Sequence, residues 1–211
     1  MRRSFAHWTP RYVVARSRES LDHVLKPDDP WLTREAIALL DRLLRPADVA
    51  CEFGAGRSTP WIARRVGRLT SVEHSRDWYE RVEAMIGAAG LANVELVHRP
   101  SPLEYAAAGA RSSYVAVLDG FADASLDFVL VDGAFRNECA LAAIVKTKRG
   151  GLITIDNANW YLPSDSRSPN SRSVSQGPGD AVWRRFAQAT RDWRRIWTSS
   201  GVTDTLILFK S

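Results

Sequence analysis

The segment CEFGAGRSTP, Cys51 to Pro60, decides how this chain is read. It sets an acid, Glu52, two residues before Gly54, a second glycine at Gly56, and then Ser58, Thr59 and Pro60. The apolar run leading into it, DVACEF, reads as a buried strand, so both glycines fall at a strand's carboxyl end, where open α/β sheets bind ligands. Glycine there permits positive φ in a sharp turn and lets a ligand reach the backbone. Thr59 is a competent N-cap and Pro60 suits the first helical position. A helix PWIARRV is therefore predicted to start at the loop, with its free amides toward the ligand, and to end at Gly67.

A second acid strengthens the pattern. Glu73 ends the next strand, RLTSVE, 21 residues after Glu52, the position from which a carboxylate reaches both hydroxyls of a ribose. The spacing predicts an adenosine-containing ligand lying across the first two strand ends.

The rest of the chain alternates apolar runs with helical periodicity. TREAIALLDRLL starts at a cap-competent Thr33 and repeats apolar residues at Ile37, Leu40 and Leu44. RDWYERVEAMIGAAG carries Trp78, Val82, Met85, Ile86 and Ala89 on one helical face. VELVH, a less regular stretch to about residue 125, LDFVLVD, a helix over NECALAAIVK, and GLITID follow. Nearly continuous apolar strands separated by helices predict a doubly wound α/β domain, its parallel sheet covered on both faces. The last two runs, RRIWT and TDTLILF, are joined only through SSGV, too short for a parallel crossover, so they are expected to form an antiparallel hairpin. Residues 1–30 read as an N-terminal extension containing a short helix and closed by the turn KPDDP, and residues 31–211 as one domain. The Ser-rich loop from Pro163 to Gly179 is long enough to suggest a lid.

Composition narrows the classes. The chain has 211 residues, 45% of them apolar, enough for one well-buried core. No run approaches the roughly eighteen apolar residues of a membrane span, and the Arg-rich start leads into polar sequence, so a soluble cytoplasmic protein without membrane contact is expected. Cys51 and Cys139 sit in separate apolar segments and read as buried free thiols. The net charge of +5 would suit an anionic cofactor or nucleic acid.

At this point the chain resembles a known family. The runs E-F-G-A-G-R-S-T, S-V-E-H, L-D-F-V-L-V-D-G and G-G-L-I-T-I-D-N are similar to the successive motifs of class I S-adenosylmethionine-dependent methyltransferases, over residues 33–210, and to small bacterial members in particular. The resemblance implies a mostly parallel seven-stranded Rossmann-like sheet with the antiparallel C-terminal hairpin. It implies that Glu52, Gly54 and Gly56 line the methionine end of the cofactor, with Ser58 and Thr59 nearby. Glu73 would hold the ribose, His74 would sit beside it near the adenine, and Ser101 would face the adenine amine. A nicotinamide enzyme is the competing reading of the glycine loop, but its fingerprint wants a third glycine where this chain has Thr59.

Asp132 ends the fourth strand, and Asp156 with Asn157 ends the fifth. Two carboxylates and an amide suit a hard divalent ion such as magnesium, and the arrangement is similar to that of catechol-type, metal-dependent O-methyltransferases. Those enzymes carry a lysine base three residues after the first metal aspartate, where this chain has Phe135, followed by Arg136. Asp132 acting near methionine or substrate without a metal, and aspartates that merely cap turns, are the other readings. Trp160 and Tyr161, after IDNAN, are candidates for an aromatic acceptor wall. Trp183, Trp193 and Trp197 read as core; His7, His23 and His98 read as surface or packing residues. A small-molecule oxygen is the expected acceptor. The alternatives are a nucleic-acid methyltransferase, although VDGAF lacks the D/N-P-P-Y/F signature and a cysteine nucleophile, and a cofactor-binding module without catalysis.

Overall fold

A computed structural model describes residues 9–100 and 112–211; Ser101, His7 and the side chain of His23 lie outside the described residues. Seven strands form one sheet: β1 (Val49–Phe53), β2 (Arg68–Glu73), β3 (Val94–His98), β4 (Leu126–Val131), β5 (Thr147–Asp156), β6 (Arg194–Ser199) and β7 (Asp204–Phe209). Their order is β3-β2-β1-β4-β5-β7-β6. The pairings from β3 across to β5 are parallel, and those of β7 with β5 and β6 are antiparallel. The doubly wound sheet and its terminal hairpin thus follow the sequence pattern. The strand order reverses between β1 and β4, which makes their carboxyl ends the expected ligand edge.

Period-two alternation explains the layering. On β1 and β4, Cys51, Phe53, Val129 and Val131 face a core that includes Trp183 and Phe186. Ala50, Phe128 and Leu130 face the opposite core, with Trp61 and Ile62. Side chains of successive strand residues point to opposite faces, so a strand covered on both sides must be apolar at every position.

Among the described residues there are six α-helices: α1 (Pro10–Leu25), α2 (Arg34–Leu43), α3 (Ser58–Ala63), α4 (Arg76–Ala88), α5 (Arg136–Lys146) and α6 (Ala181–Ala189). Thr9 caps α1, Thr33 caps α2, Ser75 caps α4 and Asp180 caps α6, each accepting from an amide three residues on. Two aspartate oxygens of Asp22 in α1 hold the guanidinium of Arg34 in α2. On α4, Val82 alone of the expected apolar face is fully buried. Cys51 and Cys139 are both buried, and the Cys139 thiol donates to the Ala134 carbonyl. Trp183 and Trp193 are core residues, and Trp197 packs against that core while its indole donates to Asp204. Among the described residues no helix is long and apolar enough to cross a membrane.

Two local expectations are corrected. The helix after the glycine loop starts at Ser58, with Arg57 in the cap position and no side-chain cap. Thr59 is inside that helix because its hydroxyl has other partners, described below, and the helix stops at Ala63, well before Gly67. The 163–179 loop is fastened down along much of its length. Pro163 bridges to Arg172, the Asn159 amide donates to the Pro169 carbonyl and the Ser171 hydroxyl, and the buried Ser168 donates to Asp204 at 2.6 Å. A capped turn at Val174–Gln176 completes it. It is a wall held to β5 and β7, and these bonds leave little of it free to act as a lid.

Candidate active site at the strand switch point

The carboxyl edge of the sheet carries a cleft of about 620 Å³, bordered by Gly54–Ser58, Glu73–Ser75, Trp78, Asp132–Ala134 and Arg136. Larger cavities border α1, but they lie away from the switch point. The cleft is where the sequence-predicted residues meet.

Gly54 takes a φ of +94°, and a Cβ there would come within 2.8 Å of the backbone of Asp132 and Gly133. Its bareness thus serves the turn and the contact between the β1 and β4 loops. Gly133 answers it: a Cβ there would stand 2.0 Å from the Tyr114 hydroxyl and 2.7 Å from the Gly54 nitrogen. Tyr114 is fully buried beneath this junction. Gly56 is different. A Cβ at Gly56 would meet nothing closer than 3.7 Å, so the missing side chain leaves room on the cleft side.

Glu52 shares the strand parity of Ala50, which sends its side chain under the loop toward α3 instead of into the cleft. Oε2 accepts from the Thr59 and Ser71 hydroxyls, each at 2.6 Å, while Thr59 Oγ1 accepts from the Gly56 amide at 3.0 Å. Oε1 is buried with no partner. Burial pushes the carboxyl up to about 7, against hydroxyls of Ser58, Ser71 and Thr59 that pull it down. Glu52 and Thr59 therefore brace the glycine loop from below.

Glu73 is 2% exposed and borders the cleft. Its Oε1 accepts from the amides of His74 and Ser75 at 2.9 and 2.7 Å, which fixes the carboxylate's orientation. His74 Nδ1 lies 3.0 Å from the same oxygen, at an angle that makes no hydrogen bond. Among the described residues no hydrogen bond is seen to its other oxygen. Trp78 closes this side, its indole donating to the Ala55 carbonyl. His98 is a packing residue, against Tyr79 and the His74 carbonyl.

The β4–β5 half converges on a residue that the sequence reading passed over as a ligand. Arg136, four residues after Asp132, returns across both strand ends. Its Nε donates to the Gly133 carbonyl at 3.1 Å. One terminal nitrogen donates to the Asp156 carbonyl at 2.7 Å and to Asn157 Oδ1 at 2.9 Å. The other donates to the Asp132 carbonyl at 2.6 Å and to its Oδ1 at 2.7 Å. Asp156 Oδ2 is 3.9 Å from the guanidinium, and its Oδ1 accepts from Thr205. The cation among Asp132, Asp156 and Asn157 is thus a guanidinium. Among the described residues no cluster of acidic, histidine or cysteine side chains is arranged to hold a metal, and the magnesium expectation is corrected on the ground that Arg136 occupies Asp132 Oδ1, Asn157 Oδ1 and the Asp156 carbonyl while Thr205 bonds the Asp156 carboxylate. Burial raises both carboxyls above the ordinary Asp range, and Arg136 opposes the shift.

A second cavity, of about 440 Å³, shares Gly133 and Arg136 with the first. It is walled by Phe135, Trp160, Tyr161 and Trp183, with Arg172 and Gly179 of the long loop. Tyr161 stacks on Trp183 at 5.1 Å, and Trp160 stays 42% exposed. Phe135 and Asn157, at the two strand ends that Arg136 joins, both hold positive φ, +48° and +51°. Such strain in non-glycine residues concentrates at functional sites.

No protein-family model and no curated protein matches the sequence. Solved structures do match in shape. The O-methyltransferase TomG from Streptomyces achromogenes, involved in tomaymycin synthesis and solved with SAM, shares 24% identity over 93% of this chain and 90% of its own, with a TM-score of 0.56. An rRNA methylase from Streptococcus thermophilus shares 10% over 82% and 92%, TM-score 0.54. Cofactor-bound Rv0187 from MTB shares 20% over 98% and 92%, TM-score 0.52. The fold is that of the class I methyltransferases. At these identities the methyltransferase fold is what the likeness establishes.

Proposed function

We propose that this protein is an S-adenosylmethionine-dependent methyltransferase acting on an oxygen of a small, flat acceptor. The observation that carries the reading is the pairing at the switch point: an open cleft with a bare Gly56 and a half-satisfied, oriented Glu73, joined through Gly133 and Arg136 to an aromatic-walled cavity. The residues fit the cofactor. Glu73 would accept from ribose hydroxyls, His74 and Trp78 would flank the adenosine, and the Gly54–Gly56 turn, braced by Glu52, Ser58 and Thr59, would carry the methionine end. When bound, that cofactor supplies a methyl group already activated by its sulfonium.

The protein's share is alignment and proton removal. Phe135, Trp160 and Tyr161 would hold a ring against Arg136 and Gly133, edge-on to the first cleft. Asp132 borders that cleft, and burial raises its affinity for a proton, which suits an acceptor of the hydroxyl proton. A cavity of this size matches a small molecule better than a nucleic-acid strand.

The test is incubation with methyl-labelled S-adenosylmethionine and three acceptor sets: phenols, sugars and short RNA. Label in a phenol is the expected result. Label in RNA alone would replace the acceptor class. No label in any set, together with tight adenosylhomocysteine binding, would leave a binding module.

A further inference from the structure

We propose that the Arg136 guanidinium is the resident cation of this site, bound to the Asp132 carboxylate and spanning the ends of strands four and five, and that it excludes a divalent ion. The acceptor would then be methylated through a single unchelated atom. The inference rests on the methyltransferase reading for its consequence, but not for its geometry.

A guanidinium has five N–H donors in a rigid planar fork. All five are used here: one on the Gly133 carbonyl, two shared between the Asp156 carbonyl and Asn157 Oδ1, and two on the carbonyl and Oδ1 of Asp132. Its acceptors include the three residues that the sequence marks as metal donors. The side chain is 15% exposed, and its plane faces the Tyr161 ring at 5.9 Å. A hard divalent ion needs several oxygens converging on one point at roughly 2.0–2.6 Å. Oxygens that converge on a fork are spread over its edge, and the positive charge they need is already supplied.

Two consequences follow. A chelated vicinal diol needs an ion with two open positions, and a saturated guanidinium offers none, so acceptors with one nucleophilic atom on a flat ring are favoured over catechols. The five bonds also tie the β4 loop to the β5 loop, fixing Gly133 at the boundary of the two cavities. Arg136 is in this sense a positioning residue that replaces an ion.

The experiment follows Mn²⁺ by electron paramagnetic resonance, titrated into the wild-type protein and into Arg136→Ala and Arg136→Lys variants, with adenosylhomocysteine calorimetry on the same samples. Wild type and Arg136→Lys are expected to leave the free-ion signal unchanged. Arg136→Ala, with Asp132, Asp156 and Asn157 released, is expected to reduce that signal in a saturable way that a further Asp132→Asn change abolishes. Saturable Mn²⁺ binding by the wild type would overturn the proposal, and this holds even if Arg136→Ala does not fold. Absence of Mn²⁺ binding by a folded Arg136→Ala would also overturn it, since Arg136 would not then be what keeps an ion out. Loss of adenosylhomocysteine binding in every sample would defeat the cofactor reading while the Mn²⁺ result stands on its own.

Discussion

The two halves of the ligand edge are both built from the carboxyl ends of parallel strands, β1 and β2 on one side and β4 and β5 on the other, and differ in how their polar groups are engaged. On the β1–β2 side, Glu73 borders the cleft with one oxygen tied to two amides, and Gly56 has no atom closer than 3.7 Å to where a Cβ would stand. On the β4–β5 side, every donor of Arg136 is taken and the carboxylates lean on it. A surface that leaves polar capacity unspent in a cleft is prepared for a ligand. The β4–β5 side ties its two loops together through Arg136 and holds the boundary at which the proposed reaction would occur.

The junction between the halves should be the most sensitive place. Gly133→Ala puts a methyl group into the Tyr114 hydroxyl and the Gly54 amide; the Gly54 backbone on one side and a fully buried ring on the other cannot yield cheaply. A loss of about 3 kcal/mol is expected, roughly 6 to 12 °C in Tm for a domain of this size. A melting curve within a degree or two of wild type would show that the two loops are not interlocked as described.

The braced half should betray itself through pH. The Glu52 carboxyl is raised in the folded protein to about 7 from an ordinary value near 4.5. Below that ordinary value both states are protonated and no penalty arises. As pH rises toward 7 the unfolded chain loses its proton first, so the folded state becomes less favoured, and the penalty is complete above 7. Denaturant unfolding at pH 5 and pH 8 should show wild type losing stability relative to Glu52→Gln, by on the order of 3 kcal/mol. A constant difference between the two proteins would mean that Glu52 titrates as an exposed acid.

The smallest effect is expected at the aromatic wall. Trp160 is partly exposed, so Trp160→Ala should raise KM for a phenolic acceptor several-fold with little change in kcat, the pattern of lost uniform binding. A fall in kcat with KM unchanged would move Trp160 to the reacting atoms.

The doubly wound sheet, its terminal hairpin and the place of Glu73 at a strand end were legible in the sequence because they follow from local patterns: apolar runs, a short final link and the distance between two strand ends. What escaped was tertiary. Gly54 looked like ligand room, but its space is filled by Gly133, a residue 79 positions later in the chain. Thr59 looked like a cap because a threonine before Pro60 ordinarily is one; the buried Glu52 competes for its hydroxyl and wins. Arg136 stands four residues after Asp132, at the first position of α5 and with a turn of non-helical chain between them, so nothing in that spacing says that the guanidinium folds back on Asp132 and also reaches Asp156 and Asn157. Tyr114 lies in a stretch without periodicity and had no signal at all.

Calorimetric titration of adenosylhomocysteine into wild type and Glu73→Gln tests the central claim most directly. Wild type should bind, and the variant, which keeps the shape but loses the charge facing the cleft, should bind about ten- to a hundredfold more weakly with its melting temperature nearly unchanged. Equal affinities in the two proteins, or no heat with a folded wild type, would contradict the account.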